Sequence, residues 1–255
     1  MPISADFTTV YTQEFEINHA QCTIDGTLKY VDLCTLFQLT CAKHSILGGI
    51  GIKEMQDHNQ AWILNKMKIE IEELPRIEDK ITVTSWIEEI GGKTSVRHME
   101  MFKNGIQIAK AATLWAVVNT IERKIEDVKL PTDHFETNQK NYIKENFRKT
   151  KSPEKLNLVR THRVVLSDLD TVNHVNNTKY IEWCLDMFSP NIALKFEINK
   201  IEVHYRRELK WNDEAAIYNY IGGNSAYFKI KSEDVSCFNM SINWAIKKAP
   251  ISQSF

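Results

Sequence analysis

Residues 167–183 hold the side chains of this chain that are best suited to acid and base chemistry. The segment reads Ser-Asp-Leu-Asp-Thr-Val-Asn-His-Val-Asn-Asn-Thr-Lys-Tyr-Ile-Glu-Trp, which places a carboxylate, an amide and an imidazole just before a predicted helix. Asp170 can act as a base for a water molecule or attack a carbonyl carbon directly. His174 can position that water and move a proton near neutral pH. Asn173 can orient the carboxylate or a carbonyl group through its amide.

Two further features of this segment bear on the same chemistry. Asp168 is an alternative to Asp170 as the reactive carboxylate, although a short polar residue at that point is also typical of a turn. The first backbone N–H groups of the helix after Asn176 lack partners within the helix, so they offer a site for a negatively charged oxygen. The segment therefore predicts a nucleophile, a proton carrier and oxyanion donors close together.

A faint copy of the segment lies earlier in the chain. Residues 29–34 match residues 179–184 at an offset of 150 (179 − 29), with the same order of charged, aromatic and apolar residues. At that offset Ala20 stands opposite Asp170, and Ile24 stands opposite His174. Glycine pairs at 91–92 and 222–223 extend the match at a shorter offset, as gaps in loops would produce. The sequence therefore predicts two copies of one unit, of which the second keeps the acid and base groups.

Each copy has the pattern of a helix followed by an antiparallel meander. Apolar residues cover nearly every face of segments 28–46 and 180–188, so each helix must be enclosed by other structure. Thr27 and Asn177 are the expected N-caps. Strand-like stretches follow at 61–74, 80–90, 94–102 and 106–119, and again at 199–209, 214–221, 226–231 and 235–246. Asn104-Gly105 and the two glycine pairs are typical of hairpin turns.

This order of elements predicts an α+β fold. We expect a tandem double hotdog, in which each half is a long central helix wrapped by an antiparallel sheet. Residues 127–157 contain few large apolar residues and a basic excess, which is typical of a solvated linker. The predicted domains are therefore an N-terminal hotdog at 1–126, this linker at 127–157, and a C-terminal hotdog at 158–255.

Composition and charge exclude several classes of protein. The chain has 255 residues, of which 43% are hydrophobic, and its net charge of −1 gives no general electrostatic reason to bind nucleic acid. The five cysteines form no CxxC pair and the histidines show no metal-ligand spacing, so we expect no metal. No apolar run is long enough to span a bilayer, and no export signal opens the chain. A reducing cytoplasm is the expected location.

The chain resembles the acyl-acyl carrier protein thioesterases, the double-hotdog hydrolases that end fatty acid synthesis by releasing free acid. The resemblance rests on residues 167–170, 174–177, 179–181 with Trp183, and the Tyr-Arg-Arg-Glu segment at 205–208. Residues 61–63 and 114–116 also fit the family's first half, so nearly the whole chain is covered. Because we see no plastid transit segment in this sequence, we expect the bacterial branch to be the nearer match.

The resemblance implies hydrolysis of fatty acyl-carrier protein thioesters, with acyl carrier protein as the partner and no cofactor. It implies that the first half holds the acyl chain and that the catalytic residues are Asp170, Asn173, His174 and Glu208. Glu208 acquires this role through the resemblance alone, since its segment otherwise reads as a solvated strand end. The family has a loop amide two residues after the carboxylate, where this chain has Val172. Asn173 is therefore predicted to substitute and to face the site, with Val172 packed away from it.

Other functions stay open at this point. The same chemistry can act on a coenzyme A thioester, and a hotdog protein can bind acyl groups without turnover or hydrate an enoyl thioester. The retained Asp170 and His174 argue against pure binding. The missing Gly-x-Ser-x-Gly motif argues against an α/β-hydrolase serine mechanism. A homodimer is compatible with the sequence.

Overall fold

The computed structural model describes residues 3–137, 147 and 152–247. The chain divides into two compact units, one formed by residues 1–150 with 203–206 and the other by residues 151–202 with 207–255. Among the described residues, no helix combines the length and the apolar character needed to cross a membrane.

The first unit is an antiparallel sheet with one long helix packed against it. Its strands are β1 (Val10–Glu16), β2 (Gln60–Ile71), β3 (Lys80–Gly91), β4 (Thr94–Lys103), β5 (Ile106–Asn119) and β6 (Lys124–Ile125). The sheet order is β1-β3-β4-β5-β2, with the short β6 beside β5. Asn104 (φ 52°) and Gly105 (φ 76°) join β4 to β5. This confirms the predicted two-residue turn, in which both positions need the left-handed region.

Helix α1 (Tyr30–Leu47) packs against β3 and β1, and the short helix α2 (Ile52–Asp57) follows it. The inward face of α1 buries Leu33, Cys34, Leu36, Phe37, Cys41 and Leu47. Leu39 and Ile46 are about half exposed, at 51% and 49%. The prediction that α1 is enclosed on every face is therefore wrong, because the sheet covers one side of it.

The start of α1 also differs from the prediction. Its N-cap is Lys29 rather than Thr27. The Thr27 hydroxyl donates instead to the Asp25 carboxylate at 2.7 Å, and so does the Thr27 backbone N–H at 3.2 Å. Thr27 thus belongs to the turn before the helix.

The second unit repeats the arrangement with a shorter helix. Its strands are β7 (Asn157–Arg163), β8 (Phe196–Tyr205), β9 (Glu214–Gly222), β10 (Ser225–Ser232) and β11 (Val235–Ile246), although residues 203–205 of β8 group with the first unit. Their order is β8-β11-β10-β9-β7. The helices are α3 (Asn177–Leu185) and the single-turn α4 (Pro190–Ala193). β7 ends at Arg163, and a 3-10 turn (Leu166–Asp168) follows it.

The core of the second unit forms where α3 meets β11. Tyr180 and Phe238 are both buried, and their ring centroids lie 5.4 Å apart. With 9 residues, α3 is half as long as the 18-residue α1. It presents Tyr180, Ile181, Trp183 and Cys184 to the core, and its other residues are half-buried.

Candidate active site

The segment predicted to carry the acid and base groups forms a closed loop between a 3-10 turn (Leu166–Asp168) and α3. The backbone N–H of Asn176 donates to the carbonyl of Asp168 at 2.9 Å, which joins the two ends of the loop. Inside it, the N–H of Asp170 donates to the carbonyl of His174 at 2.8 Å. The loop therefore holds Asp170 and His174 at a fixed separation.

The Asp170 carboxylate is fixed by the backbone of its own loop. Its Oδ1 accepts hydrogen bonds from the N–H of Val172 at 2.9 Å and from the N–H of His174 at 3.1 Å. The side chain is half-buried. One carboxylate oxygen thus accepts hydrogen bonds from the turn. These bonds fix the orientation of the second oxygen.

His174 and Glu208 come together in the second unit. The Nε2 of His174 lies 3.5 Å from a carboxylate oxygen of Glu208, and the two side chains are 19% and 27% exposed. The next residue of each segment brings the two side chains together, because the N–H of Val175 donates to the carbonyl of Leu209 at 2.8 Å. The structure thus pairs a proton carrier with a carboxylate that the sequence places 34 residues later (208 − 174).

Tyr180 of α3 holds the backbone next to Glu208 in place. Its buried hydroxyl oxygen accepts a hydrogen bond from the N–H of Leu209 at 2.9 Å. Burial raises the pKa of the Tyr180 phenol, so this group stays protonated. Sequence reasoning missed Tyr180 as a support for the site, although its place one turn into α3 is a usable signal.

Asn173 lies at the tip of the loop. Its side chain is exposed, and its backbone has a left-handed φ of 64°. Val172 is 51% exposed rather than packed away. The inward direction of Asn173 stays a prediction, and the turn supplies a structural reason for this residue, since asparagine tolerates the left-handed region better than most residues.

The start of α3 is less open than predicted. The N-cap is Asn176 rather than Asn177, and its Oδ1 accepts from the N–H of Thr178 at 3.0 Å. The N–H of Lys179 donates to the Asn176 carbonyl at 2.9 Å. The amides of Thr178 and Lys179 are used within the helix cap, so these two do not serve an oxyanion as expected.

Asp168 makes a different set of contacts from Asp170. It is 4% exposed, and its Oδ2 accepts from the Nε2 of His162 at 2.8 Å and from the N–H of Val165 at 2.9 Å. The His162 ring lies against Trp183, with centroids 4.5 Å apart. The structure therefore does not bring Asp168 to the His174–Glu208 pair as an open carboxylate.

The thiols and metal-type side chains of the unit add no further reactive group. Burial raises the pKa of the Cys184 thiol well above its ordinary value, and burial also raises that of Cys237. Within the described ranges, no cluster of three or more His, Cys, Asp or Glu side chains is placed to hold a metal ion.

The first unit builds the same loop without the same side chains. The bridge between Cys22 and Leu28 matches the bridge between Leu169 and Val175, at an offset of 147 (169 − 22). At this offset Gly26 corresponds to Asn173, and both have a left-handed φ, of 77° and 64°. The two loops are therefore copies in backbone conformation.

This correspondence corrects the predicted partners of the reactive residues. At the offset of 147, Thr23 stands for Asp170 and Thr27 stands for His174, in place of Ala20 and Ile24. The hydroxyls of Thr23 and Thr27 both bond to Asp25, at 2.5 and 2.7 Å. The first loop thus keeps polar groups that bind each other, with a carboxylate at Asp25, but it has no carboxylate at the position of Asp170 and no imidazole at the position of His174.

Known proteins share both halves of this arrangement. Residues 8–133 match the model of the acyl-ACP thioesterase N-terminal domain, and residues 142–245 match that of the acyl-ACP thioesterase C-terminal domain. The chain is 27% identical over 215 residues to a chloroplastic palmitoyl-acyl carrier protein thioesterase of Arabidopsis thaliana, covering 78% of this chain and 52% of the relative. It is 25% identical over 222 residues to a chloroplastic oleoyl-acyl carrier protein thioesterase of Coriandrum sativum, covering 80% and 60%. The chain spans about half the length of the curated relatives that it matches.

Solved structures share the fold at low sequence identity. An acyl-ACP thioesterase from Bacteroides thetaiotaomicron aligns with a TM-score of 0.79 and 22% identity, over 93% of this chain and 98% of that one. A 12:0-ACP thioesterase from Umbellularia californica aligns with a TM-score of 0.80 and 18% identity, over 94% and 98%. These likenesses confirm the predicted tandem double hotdog. With its two halves matched in order by the two domain models, the chain belongs to the acyl-ACP thioesterase family.

Proposed function

We propose that the chain hydrolyses fatty acyl-acyl carrier protein thioesters to free fatty acid and carrier protein, which ends fatty acid synthesis. The observation that carries the proposal is the His174–Glu208 pair at 3.5 Å, on a loop that also fixes Asp170. Membership of the family supports the thioester as the bond that is cleaved.

In the proposed reaction a water oxygen attacks the thioester carbonyl carbon. Glu208, assisted by His174, takes a proton from the water, and the carbon–sulfur bond then breaks. The proton passes from Glu208 to His174, and His174 donates it to the leaving thiolate, so both groups return to their starting states. Asp170 orients the loop, or itself attacks the carbonyl to form an anhydride that water then hydrolyses. Rapid quenching followed by mass spectrometry distinguishes these two roles, because an anhydride adds the acyl mass to the loop peptide.

We propose a division of labour between the halves. Residues 158–255 form the catalytic hotdog, residues 1–126 hold the acyl chain, and residues 127–157 link them. The first loop supports this assignment, since Thr23 and Thr27 there replace the acid and base groups. Part of the linker lies outside the described residues. All five cysteines are free, which suits the cytoplasm as the proposed location.

The test is a hydrolysis screen that compares carrier-protein and coenzyme A thioesters across acyl lengths. We expect faster turnover of the carrier-protein thioester and a decline with rising salt, because the carrier is acidic. Equal rates on both thioesters without a salt effect would favour a coenzyme A thioesterase. No release of free acid from either would favour a protein that only binds acyl groups.

Substitutions then test the proposed residues. Asp170→Asn, His174→Ala and Glu208→Gln should each reduce turnover by about a hundredfold or more. Glu214→Gln is the matched control, since Glu214 is an exposed acid on β9 of the same unit. A Glu208→Gln enzyme as active as the control would remove Glu208 from the catalytic set.

A further inference from the structure

Asp168 is a buried carboxylate that the proposed reaction does not use. Four hydrogen bonds meet at this residue. Its Oδ2 accepts from His162 Nε2 and from the Val165 N–H, its carbonyl accepts from the Asn176 N–H, and its own N–H donates to the Val165 carbonyl at 3.0 Å. A buried carboxylate is costly unless donors satisfy it, so this set of contacts constrains where Asp168 can lie.

These contacts join three elements around the reactive loop. His162 lies in β7, Asp168 ends the 3-10 turn, and Asn176 caps α3. The loop that holds Asp170 and His174 therefore begins and ends at Asp168 and its bonded partner Asn176. Any shift of Asp168 moves both ends of that loop.

His162 and Trp183 hold the carboxylate in place from the other side. The His162 ring packs on Trp183 of α3 at 4.5 Å, and Trp183 is 4% exposed. This packing directs Nε2 of His162 toward Asp168. The pair thus couples β7 to α3 across the loop.

We infer that His162 and Asp168 are a positioning pair, which sets the geometry of Asp170 and His174 without touching the substrate. Positioning of reacting groups contributes strongly to rate, and small displacements are costly. The inference rests on the proposed function for its activity readout. Exchange of backbone amide hydrogens in residues 169–176 gives a second readout that needs no substrate.

Four substitutions separate the contributions of the pair, and one of them, Asp168→Ala, removes the carboxylate. His162→Phe keeps a ring against Trp183 but removes the donor to Asp168. His162→Gln keeps a donor near the position of Nε2 but removes the ring. Asp168→Asn keeps an acceptor oxygen and removes the charge, and it replaces Asp168→Ala if the alanine variant does not fold. Glu182→Gln is the control, because it breaks a surface pair with Lys179 on α3, at 2.7 Å.

We expect His162→Phe and Asp168→Ala to lower kcat about ten- to a hundredfold, with KM within about twofold of the parent. Exchange in residues 169–176 should accelerate several-fold while the rest of the unit is unchanged. His162→Gln should recover most of kcat. The double variant should be no worse than either single one, since both remove the same contact.

Several results would overturn the inference. Unchanged kcat and unchanged loop exchange in Asp168→Ala would show that the pair does not set the loop. A large loss of kcat with unchanged exchange would mean that Asp168 acts on the substrate. Uniformly faster exchange throughout the unit would mean a structural role alone. If the parent hydrolyses no thioester, the proposed function fails, and the exchange measurement still decides the inference.

Discussion

At the residue scale, the pairing of His174 with Glu208 depends on backbone contacts made by their neighbours. Val175 and Leu209 share a hydrogen bond, and the Tyr180 hydroxyl fixes the Leu209 N–H. The two proposed catalytic side chains are therefore positioned by backbone groups and by the Tyr180 hydroxyl. Both remain partly exposed, at 19% and 27%, as a site open to substrate and water requires.

Asn173 provides a test of turn geometry against direct chemistry. If it serves the left-handed turn, Asn173→Gly should keep turnover within a few-fold, because glycine adopts φ 64° without steric cost. Asn173→Ala should lose stability by about 1 kcal/mol, since alanine is strained there. Steady-state kinetics and thermal unfolding measure the two effects.

The predicted catalytic role for the amide gives the opposite order. In that case both variants would lose turnover by about ten- to a hundredfold, as for one lost oxyanion donor. Val172→Ala is the control at the neighbouring exposed position. Equal large losses in the glycine and alanine variants would restore Asn173 to the catalytic set.

Candidate site residues could be identified from the sequence, whereas the directions of their side chains could not. Asp170 and His174 stand out because few side chains carry acid and base groups at a helix start. The direction of Asn173 depends on a single backbone dihedral, which the spacing does not reveal. The His162–Asp168 contact was also missed, although a histidine on a strand shortly before a buried acid is a usable signal.

At the element scale, the two helices differ in how their starts are built. Asn176 caps α3 through its side chain, whereas Lys29 at the start of α1 makes no side-chain cap. The expected strands and the Asn104-Gly105 turn could be predicted, because alternation and turn residues are local signals. Caps could not, because the Thr27 hydroxyl is held by Asp25 and because Asn176 caps α3 one residue before the predicted position.

Helix α1 carries a buried histidine that should make stability depend on pH. The His44 side chain is buried, and its Nε2 lies 2.9 Å from the carbonyl of Thr8. Burial, together with the nearby Arg97 guanidinium, lowers its pKa from 6.5 to about 3. As the pH falls, His44 in the unfolded chain therefore binds a proton at a higher pH than His44 in the folded protein does. The stability is complete above about pH 6.5 and is lost as the pH falls toward 3.

We expect this histidine to reduce the free energy of unfolding by about 2 kcal/mol between pH 7.5 and pH 5. Denaturant unfolding at the two pH values measures the difference. His44→Gln should remove most of it, because glutamine does not titrate. His58→Gln, at an exposed histidine, should leave it unchanged. Equal pH dependence in His44→Gln and the parent would contradict the assignment.

At the scale of the whole molecule, the chain is a duplicated unit whose copies have diverged in chemistry more than in backbone. The loops keep matching bridges and left-handed positions, while Thr23 and Thr27 stand where the second copy has Asp170 and His174. The duplication was visible in the sequence. Its register at the loop was not, because the matching aromatic and charged residues at 29–34 and 179–184 lie at an offset that differs from the bridges by three residues (150 − 147).

The proposed division of labour predicts that substitutions in the first unit change acyl-length preference more than turnover. Leu36 lies on the buried face of α1, whereas Leu39 on the same helix is 51% exposed. Leu36→Ala enlarges the interior, so the ratio of kcat/KM for a longer acyl chain to that for a shorter one should rise. Each additional buried methylene contributes about 0.8 kcal/mol, or a factor of about four.

Leu39→Ala is the matched control and should leave the ratio unchanged. The measurement is a competition between acyl-carrier protein thioesters of different length, with thermal unfolding to verify that both variants fold. A length preference that responds only to substitutions in the second unit would reverse the assignment of the two halves.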